Sequence, residues 1–229
     1  MMTKAIALPK GKHIEQQVLD VLAASGVEIQ REHPRAIQAT VKGFGEITRA
    51  IFCRSDQMID LLEEDFTVVL GIIGKDMFLE SGSYVVKQFG AFTTVAQTRG
   101  MFFTRGDNAA NSLQDLFNAY GWQSGIASEY PNQTRKFLEA RGFLQVRRYG
   151  ELKERKIHPC KSAETLVCAT NKYLYGVALV ETGTTLAVNG LVEIEGGGIF
   201  DSHAVLIGRE PEDPKVLYTT IKILNGLTF

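Results

Sequence analysis

The sequence predicts an α/β protein of two lobes with a ligand cleft between them, and three observations lead there. Short β-rich apolar runs alternate with segments whose apolar residues recur at helical spacing, the pattern of strands joined through helices into largely parallel sheets. One run, "TVVLGII" (Thr67 to Ile73), is apolar throughout, as befits a central strand covered on both faces. The length, 229 residues, is more than one minimal core needs and suits a large domain or two lobes.

Along the chain, "AIAL" (Ala5 to Leu8) reads as a short buried strand and "PKG" turns out of it. Ile14, Val18 and Leu22 then recur every four residues, with Leu19 and Val21 beside them, until Gly26 stops the helix. "EITRAIFC" (Glu46 to Cys53) is β-rich, and Ser55 is placed to cap the next helix, whose apolar side is Met58, Ile59, Leu61 and Leu62. The buried run follows, then "GKDMFLESG", a glycine turn and a short helix ended by Gly82. Ser112 opens the helix "LQDLFNAYG", and "SGIAS" (Ser124 to Ser128) is a short strand. In "EYPNQTRKFLEARG", Pro131 suits a first helical turn and Gly142 an end. "FLQVRRY" (Phe143 to Tyr149), "YGVALV" (Tyr175 to Val180) and "HAVLIG" (His203 to Gly208) read as strands. "EDPKVLYTTIKILNG" reads as a closing helix with Pro214 in its first turn.

The totals exclude several classes of function. With 25 basic and 26 acidic residues the net charge is −1, so no global field draws in nucleic acid or an anionic membrane. No apolar stretch is long enough to span a bilayer, and "MMTKAIALPKGK" lacks the apolar core of a secretory signal, so a cytoplasmic location is expected. Cys53, Cys160 and Cys168 have no ligand-like spacing and read as reduced structural thiols. The four histidines form no metal-binding or catalytic spacing.

Four segments could carry chemistry. In "ETGTT" (Glu181 to Thr185), Gly183 permits a tight turn and Thr182, Thr184 and Thr185 offer hydroxyls. A helix starting near Thr185 would aim its N–H groups into the same corner, a seat for a phosphate monoester. Taken alone, the segment is slightly better explained by Thr184 or Thr185 capping that helix. "LPKGK" (Leu8 to Lys12) sets Lys10 and Lys12 around Gly11 at the end of a strand, where α/β proteins bind ligands, although such a turn is more often merely solvated. "GIIGKDMFLESG" puts Lys75 and Asp76 directly after a buried strand but lacks Walker A spacing. "SEYPNQTRKF" groups Tyr130, Asn132, Thr134 and Arg135 at a strand-to-helix corner, fit to read a base and a phosphate or simply to cap a helix. The basic run from Val146 to Lys161 has the composition of a solvated helix face.

In this order, "IALPKGK", "LGIIGKDMFLESG", "ASEYPNQTRKFLEARG", "YGE" and "LVETGTTLAVNGLVEIE" resemble the catalytic subunit of ATP phosphoribosyltransferase across nearly the whole chain. The resemblance implies a two-lobed fold like the type II periplasmic binding proteins, with mostly parallel sheets, flanking helices and the site in the cleft. Lobe I would hold residues 1–92 and 188–229, and lobe II residues 93–187 with the phosphate loop. It further implies the opening step of histidine biosynthesis: N1 of the ATP adenine displaces pyrophosphate from phosphoribosyl pyrophosphate, with Mg²⁺ carried on the substrate phosphates. Glu181 to Thr185 would hold the 5-phosphate. Lys10, Gly11, Lys12, Lys75 and Asp76 would meet the pyrophosphate or triphosphate, and Tyr130, Asn132, Thr134 and Arg135 the nucleotide. Lys10 and Glu181 are the catalytic candidates. The chain looks like the family's short form, which works as an oligomer with a histidyl-tRNA-synthetase-like regulatory subunit.

Departures from the family pattern are concentrated near the sugar. The pattern "GSVE…GLADAIVDIV" falls on "GELK", placing Glu151 at its serine and Lys153 at its glutamate, and on Tyr173, Leu174 and Ala178 where acids are expected. The last of those aspartates is the natural partner of the ribose hydroxyls, since a carboxylate accepts two hydrogen bonds from a vicinal diol. Lys12 stands where the family commonly has arginine, without that residue's bidentate geometry. Two further readings therefore stand beside the enzyme: a divergent paralogue with another acceptor, and a non-catalytic nucleotide- or phosphate-binding regulatory protein.

Overall fold

A computed structural model describes residues 3–108, 112–120, 125–148 and 151–209. The chain forms two compact units, Met1–Gln97 with Ser202–Phe229, and Thr98–Asp201. Its elements run β1 (Lys4–Pro9), α1 (Lys12–Ala24), β2 (Glu28–Gln30), β3 (Gln38–Lys42), β4 (Ile47–Cys53), α2 (Ser55–Glu64), β5 (Val68–Gly74), α3 (Lys75–Ser81) and β6 (Lys87–Phe92). The second unit follows with β7 (Thr98–Arg105), α4 (Leu113–Tyr120), β8 (Gly125–Ser128), α5 (Pro131–Ala140), β9 (Gln145–Arg148), β10 (Glu151–Glu154) and β11 (Ile157–Pro159). It continues through α6 (Ala163–Ala169), β12 (Tyr173–Val180), α7 (Thr184–Val188) and β13 (Leu191–Ser202), before β14 (Ala204–Gly208) rejoins the first unit. Residues 188–201, placed with lobe I by the sequence division, belong to the second unit because β13 lies beside β7 in its sheet.

The first sheet has the order β2-β3-β4-β1-β5-β14-β6 and the second β11-β8-β12-β7-β13. Parallel pairing is confined to β4-β1-β5 in one and β11-β8-β12 in the other. The flanks are antiparallel, so the sheets are mixed rather than mostly parallel. β2, β3 and β4 follow one another without an intervening helix, and direct connections of that kind yield antiparallel neighbours.

Strand alternation divides each unit's core into two layers. In the first unit Ile6, Leu8, Leu70, Ile72 and Leu206 pack with Val18 and Leu22 of α1. Ala5, Ala7, Val68, Ile73, Val205 and Ile207 face the other way, onto Met58, Ile59 and Leu62 of α2. This two-sided burial is why β5 is apolar along its length. In the second unit, Tyr175 and Val177 of β12 pack with Phe117 of α4 and Phe137 and Leu138 of α5. Ala178 and Val180 join Ala163 and Val167 of α6 and Leu186 of α7 on the opposite side.

Local signals are met unevenly. Gly26 ends the first helix at φ 79°, and the Ser112 Oγ accepts the Asp115 N–H at 3.1 Å ahead of α4. Ser55 does not cap α2; it is the helix's first residue, after an extended Arg54. The basic run is not a helix face, because Gln145–Glu154 forms the antiparallel pair β9–β10 and β11 follows. Arg155 within it is buried, donating Nε–H to the Phe143 carbonyl at 2.8 Å and lying 4.1 Å over the Phe117 ring. The closing helix expected over 212–226 lies outside the described residues.

Gly176, in the middle of β12, lies against Phe103, and a Cβ there would enter the ring. Gly176→Ala is therefore expected to destabilise the protein by about 1–3 kcal/mol, the usual cost of overpacking a dense core. A urea unfolding curve checks this, and an unshifted midpoint would mean the ring moves aside freely.

Candidate functional site

β12 is buried on both faces up to Val180 and then delivers five polar or small residues, Glu181 to Thr185. Gly183 makes the corner at φ 76°, a left-handed conformation that costs other residues dearly, and serves as the N-cap position of α7. Neither Thr184 nor Thr185 caps the helix, and Gly183 has no side chain to do so. The Thr184 N–H instead meets the Thr182 Oγ1 at 3.4 Å, and the hydroxyls of Thr182 and Thr184 pair at 2.9 Å. Glu181, Thr182, Thr184 and Thr185 are exposed. Behind the corner, Glu193 is anchored by Arg99 at 2.8 Å, and a Cβ on Gly183 would come within 3.3 Å of its Oε1.

The loop lines a cavity of about 280 Å³ with Thr98, Leu179 and, from a separate element, Glu164. Glu164 was missed in the sequence. It lies in the first turn of α6, where the Ser162 Oγ accepts the Thr165 N–H at 3.3 Å. Ser162 and Glu164 of "KSAE" thus reproduce the Ser-x-Glu order expected at 150–153 and stand just before β12. The segment 151–154 is instead strand β10, with Lys153 exposed. The available signal was a serine with a glutamate two residues on, directly ahead of an apolar strand.

A second acid backs Glu164. The Glu129 carboxylate accepts the Ala163 N–H at 3.1 Å, while its own N–H reaches the Val177 carbonyl at 3.0 Å. Burial pushes the Glu129 carboxyl up to about 7, and the charge and hydrogen bond of Glu164 add to the shift against the lowering effect of the Ala163 N–H. The Cys160 thiol nearby is also raised, by burial first and by the Glu129 charge second. Ala178, where the family's ribose acid was expected, is 1% exposed and shares an apolar cluster with Phe103, Ala127 and Ala163.

Some of the other predicted residues have structural tasks. Asp76 is buried; its Oδ1 accepts the Ser202 hydroxyl at 2.6 Å and its N–H donates to the same oxygen at 3.0 Å. Thr134 is fully buried and pairs with the Ser128 hydroxyl at 2.8 Å. Tyr130 is buried, with its ring edge-on to Phe200 at 5.3 Å. Arg135 is exposed and engaged by Glu154, and Asn132 is exposed at the start of α5. In the first unit Lys10 is exposed after β1 and Lys75 is half-buried at the start of α3. The Gly11 N–H is taken by the Glu15 carboxylate at 3.1 Å, and the Lys12 side chain lies outside the described residues. Among the described residues no group of three or more His, Cys, Asp or Glu side chains is gathered to hold a metal ion, and no helix is long and apolar enough to cross a membrane.

Chemically the cavity is two-sided. Hydroxyls and first-turn N–H groups of the loop are donors suited to an anion, whereas the Glu164 carboxylate is purely an acceptor suited to hydroxyl groups. A phosphorylated sugar presents both kinds of partner.

The model of the ATP phosphoribosyltransferase family matches residues 54–225. An ATP phosphoribosyltransferase of Methanococcus maripaludis strain S2 is 26% identical over 223 residues, covering 97% of this chain and 71% of the relative. The structure of the ATP phosphoribosyl transferase HisG:HisZ complex from Thermotoga maritima superposes with a TM-score of 0.71 at 21% identity, over 98% of each chain. A histidine kinase sensor domain with similarity to periplasmic binding proteins gives a TM-score of 0.56 at 13% identity, over 98% of this chain and 88% of that one.

The corner makes a specific demand on glycine. Gly183→Ala is expected to cost about 1–2 kcal/mol from the left-handed backbone alone. A crystal structure of the variant should show the Thr182–Thr184 pair displaced; an unaltered loop and an unaltered thermal midpoint would contradict the requirement.

Proposed function

The chain belongs to the ATP phosphoribosyltransferase family, and on that premise we propose that the loop Glu181–Thr185 holds the 5-phosphate of phosphoribosyl pyrophosphate. N1 of the ATP adenine then bonds to the anomeric carbon as the bond to the pyrophosphate oxygen breaks. The bonding pair leaves with pyrophosphate, and the product is phosphoribosyl-ATP, in the first step of histidine biosynthesis. The observation that carries this reading is the cavity in which phosphate donors and the Glu164 acceptor face one space.

The transition state is oxocarbenium-like, so the protein's part is placement and charge rather than covalent chemistry. Thr182, Thr184, Thr185 and the first-turn N–H groups anchor the phosphate end. Glu164, with the exposed Glu181, accepts from ribose hydroxyls, the task left by Ala178. Lys10 and Lys75 supply positive charge toward the leaving pyrophosphate, and Asn132 with Arg135 stands on the nucleotide side. Mg²⁺ is carried on the substrate's phosphate oxygens, the hard donors it prefers, and there it neutralises charge on the leaving group. The chain works in an oligomer with a regulatory subunit, a reading supported by the HisG:HisZ assembly of its Thermotoga maritima structural relative.

A different acceptor, or binding without turnover, is favoured by one observation, the alanine at 178. Mixing the protein with ATP, phosphoribosyl pyrophosphate and Mg²⁺, with and without a candidate regulatory subunit, decides the matter. Phosphoribosyl-ATP is the expected product, and its absence under both conditions with ligand binding intact would sink the enzymatic reading. Thr184→Ala combined with Thr185→Ala should weaken phosphoribosyl pyrophosphate at least several-fold in calorimetry, since lost hydrogen bonds to a charged group are worth about 1.5–3 kcal/mol each. Unchanged affinity would move the phosphate elsewhere.

A further inference from the structure

We propose that Glu129 is a positioning residue that holds Glu164 toward the cavity through a shared proton, so that ligand affinity at the Glu181–Thr185 loop is tuned by pH near neutrality. The proposal rests on the reading of that loop as an anion cradle.

The geometry comes from three elements meeting at one residue. Glu129 follows the last residue of β8, and its backbone N–H is fixed to the Val177 carbonyl of β12 at 3.0 Å. Its carboxylate accepts the N–H of Ala163, the residue next to Glu164, at 3.1 Å. A hydrogen bond then joins the carboxyl groups of Glu129 and Glu164. Glu164 lines the cavity and Glu129 does not, so any effect of Glu129 on a ligand passes through Glu164. Two carboxyl groups can hydrogen-bond only while a proton lies between them. From α6 Glu164 faces Glu129, from the end of β11 the Cys160 thiol does, and from β12 the Val177 carbonyl meets its backbone. The thiol is held above its ordinary range and stays neutral through the relevant window.

The sign follows directly. Burial and Glu164 raise the Glu129 carboxyl to about 7, so below that pH Glu129 is protonated and the pair carries at most one negative charge. Above it the pair is doubly charged, the bridging proton is gone, and the added charge repels an anion in the cradle. A phosphate monoester loses its own second proton near pH 6, which would strengthen binding as pH rises. A loss of affinity with rising pH is therefore opposite to what the ligand alone would do.

The test uses the full chain with ribose 5-phosphate as probe, by calorimetry between pH 6.5 and 8.5. We expect the wild-type dissociation constant to rise about three- to tenfold across that range, the size of one added charge several ångströms away at intermediate dielectric. Glu129→Gln keeps a donor for Glu164 and an acceptor for the Ala163 N–H but cannot ionise, so its affinity should stay flat or strengthen. Glu129→Ala should bind weakly at every pH. In ¹³C carboxyl NMR one glutamate should titrate near 7 and fall toward the ordinary range in Glu164→Gln. A Glu129→Gln variant that keeps the wild-type pH response, or a wild type that binds independently of pH, overturns the proposal and leaves the cradle standing. A wild type that binds ribose 5-phosphate at no pH, while a carboxyl still titrates near 7, removes the cradle and the proposal with it.

Discussion

The sealing of β12 on both faces governs what the second unit can do. Tyr175 and Val177 are committed to one apolar layer, Ala178 and Val180 to the other, and Gly176 leaves room only for the Phe103 ring. The backbone is paired to β7 on one side and β8 on the other. No polar group can face a ligand until the strand runs out of sheet, so function is forced to the residues after Val180. There a single left-handed glycine turns the chain and starts a helix within two residues. Rigidity behind the loop and exposure in front of it follow from the same burial, which is how a short polar segment can be held in place without a core of its own.

The same rule acts at the ends of β1, β5 and β8, where Lys10, Lys75 and Glu129 appear directly after buried strands. Ligands in open α/β sheets bind beyond the carboxyl ends of parallel strands for this reason. Yet position alone does not make a binding residue. Asp76 follows β5 as closely as Lys75 does, but its carboxylate ties α3 to Ser202, where the chain re-enters the first unit. Thr134 faces inward and secures α5 to Ser128 rather than presenting a hydroxyl to solvent. A corner of this kind needs some polar residues to hold its own backbone, and the sequence pattern does not distinguish the two uses.

The legible parts were those whose signal is local and strong. The four-residue spacing of Ile14, Val18 and Leu22, the continuous apolar run of β5 and Pro131 at the head of α5 each lead to the element observed. β2, β3, β6 and β7 escaped notice because their short stretches are half exposed, and alternation over five or six residues is hard to tell from a loop. The basic run misled for a related reason: as β9, β10 and β11 it alternates across a surface, and charge composition carries no period. That error displaced the Ser-x-Glu pattern by about a turn of chain, from Ser162 and Glu164 back to Glu151 and Lys153, and hid the acid that lines the cavity. Glu129 was invisible for a deeper reason, since its character depends on burial and on Glu164, neither of which is adjacent in sequence.

The loss of the aspartate at 178 is then intelligible as a change of support. A carboxylate at that place would sit in the layer formed by Phe103, Ala127, Ala163 and Val180, where a charge is tolerated only with dedicated partners. This chain fills the place with a methyl group, keeps the layer apolar and packs α6 closely through Ala163. Acidity is supplied instead from the start of α6 and the end of β8, at the rim of the layer, where Glu164 reaches the cavity and Glu129 is half-buried behind it. Carboxylates at a helix start are favoured by the local dipole, and a partner acid can regulate the charge there without opening the core. The apolar strand and the acidic rim are therefore one arrangement: closing the core at Ala178 is compatible with a hydroxyl-binding acid in the cavity because that acid now rests on a different element.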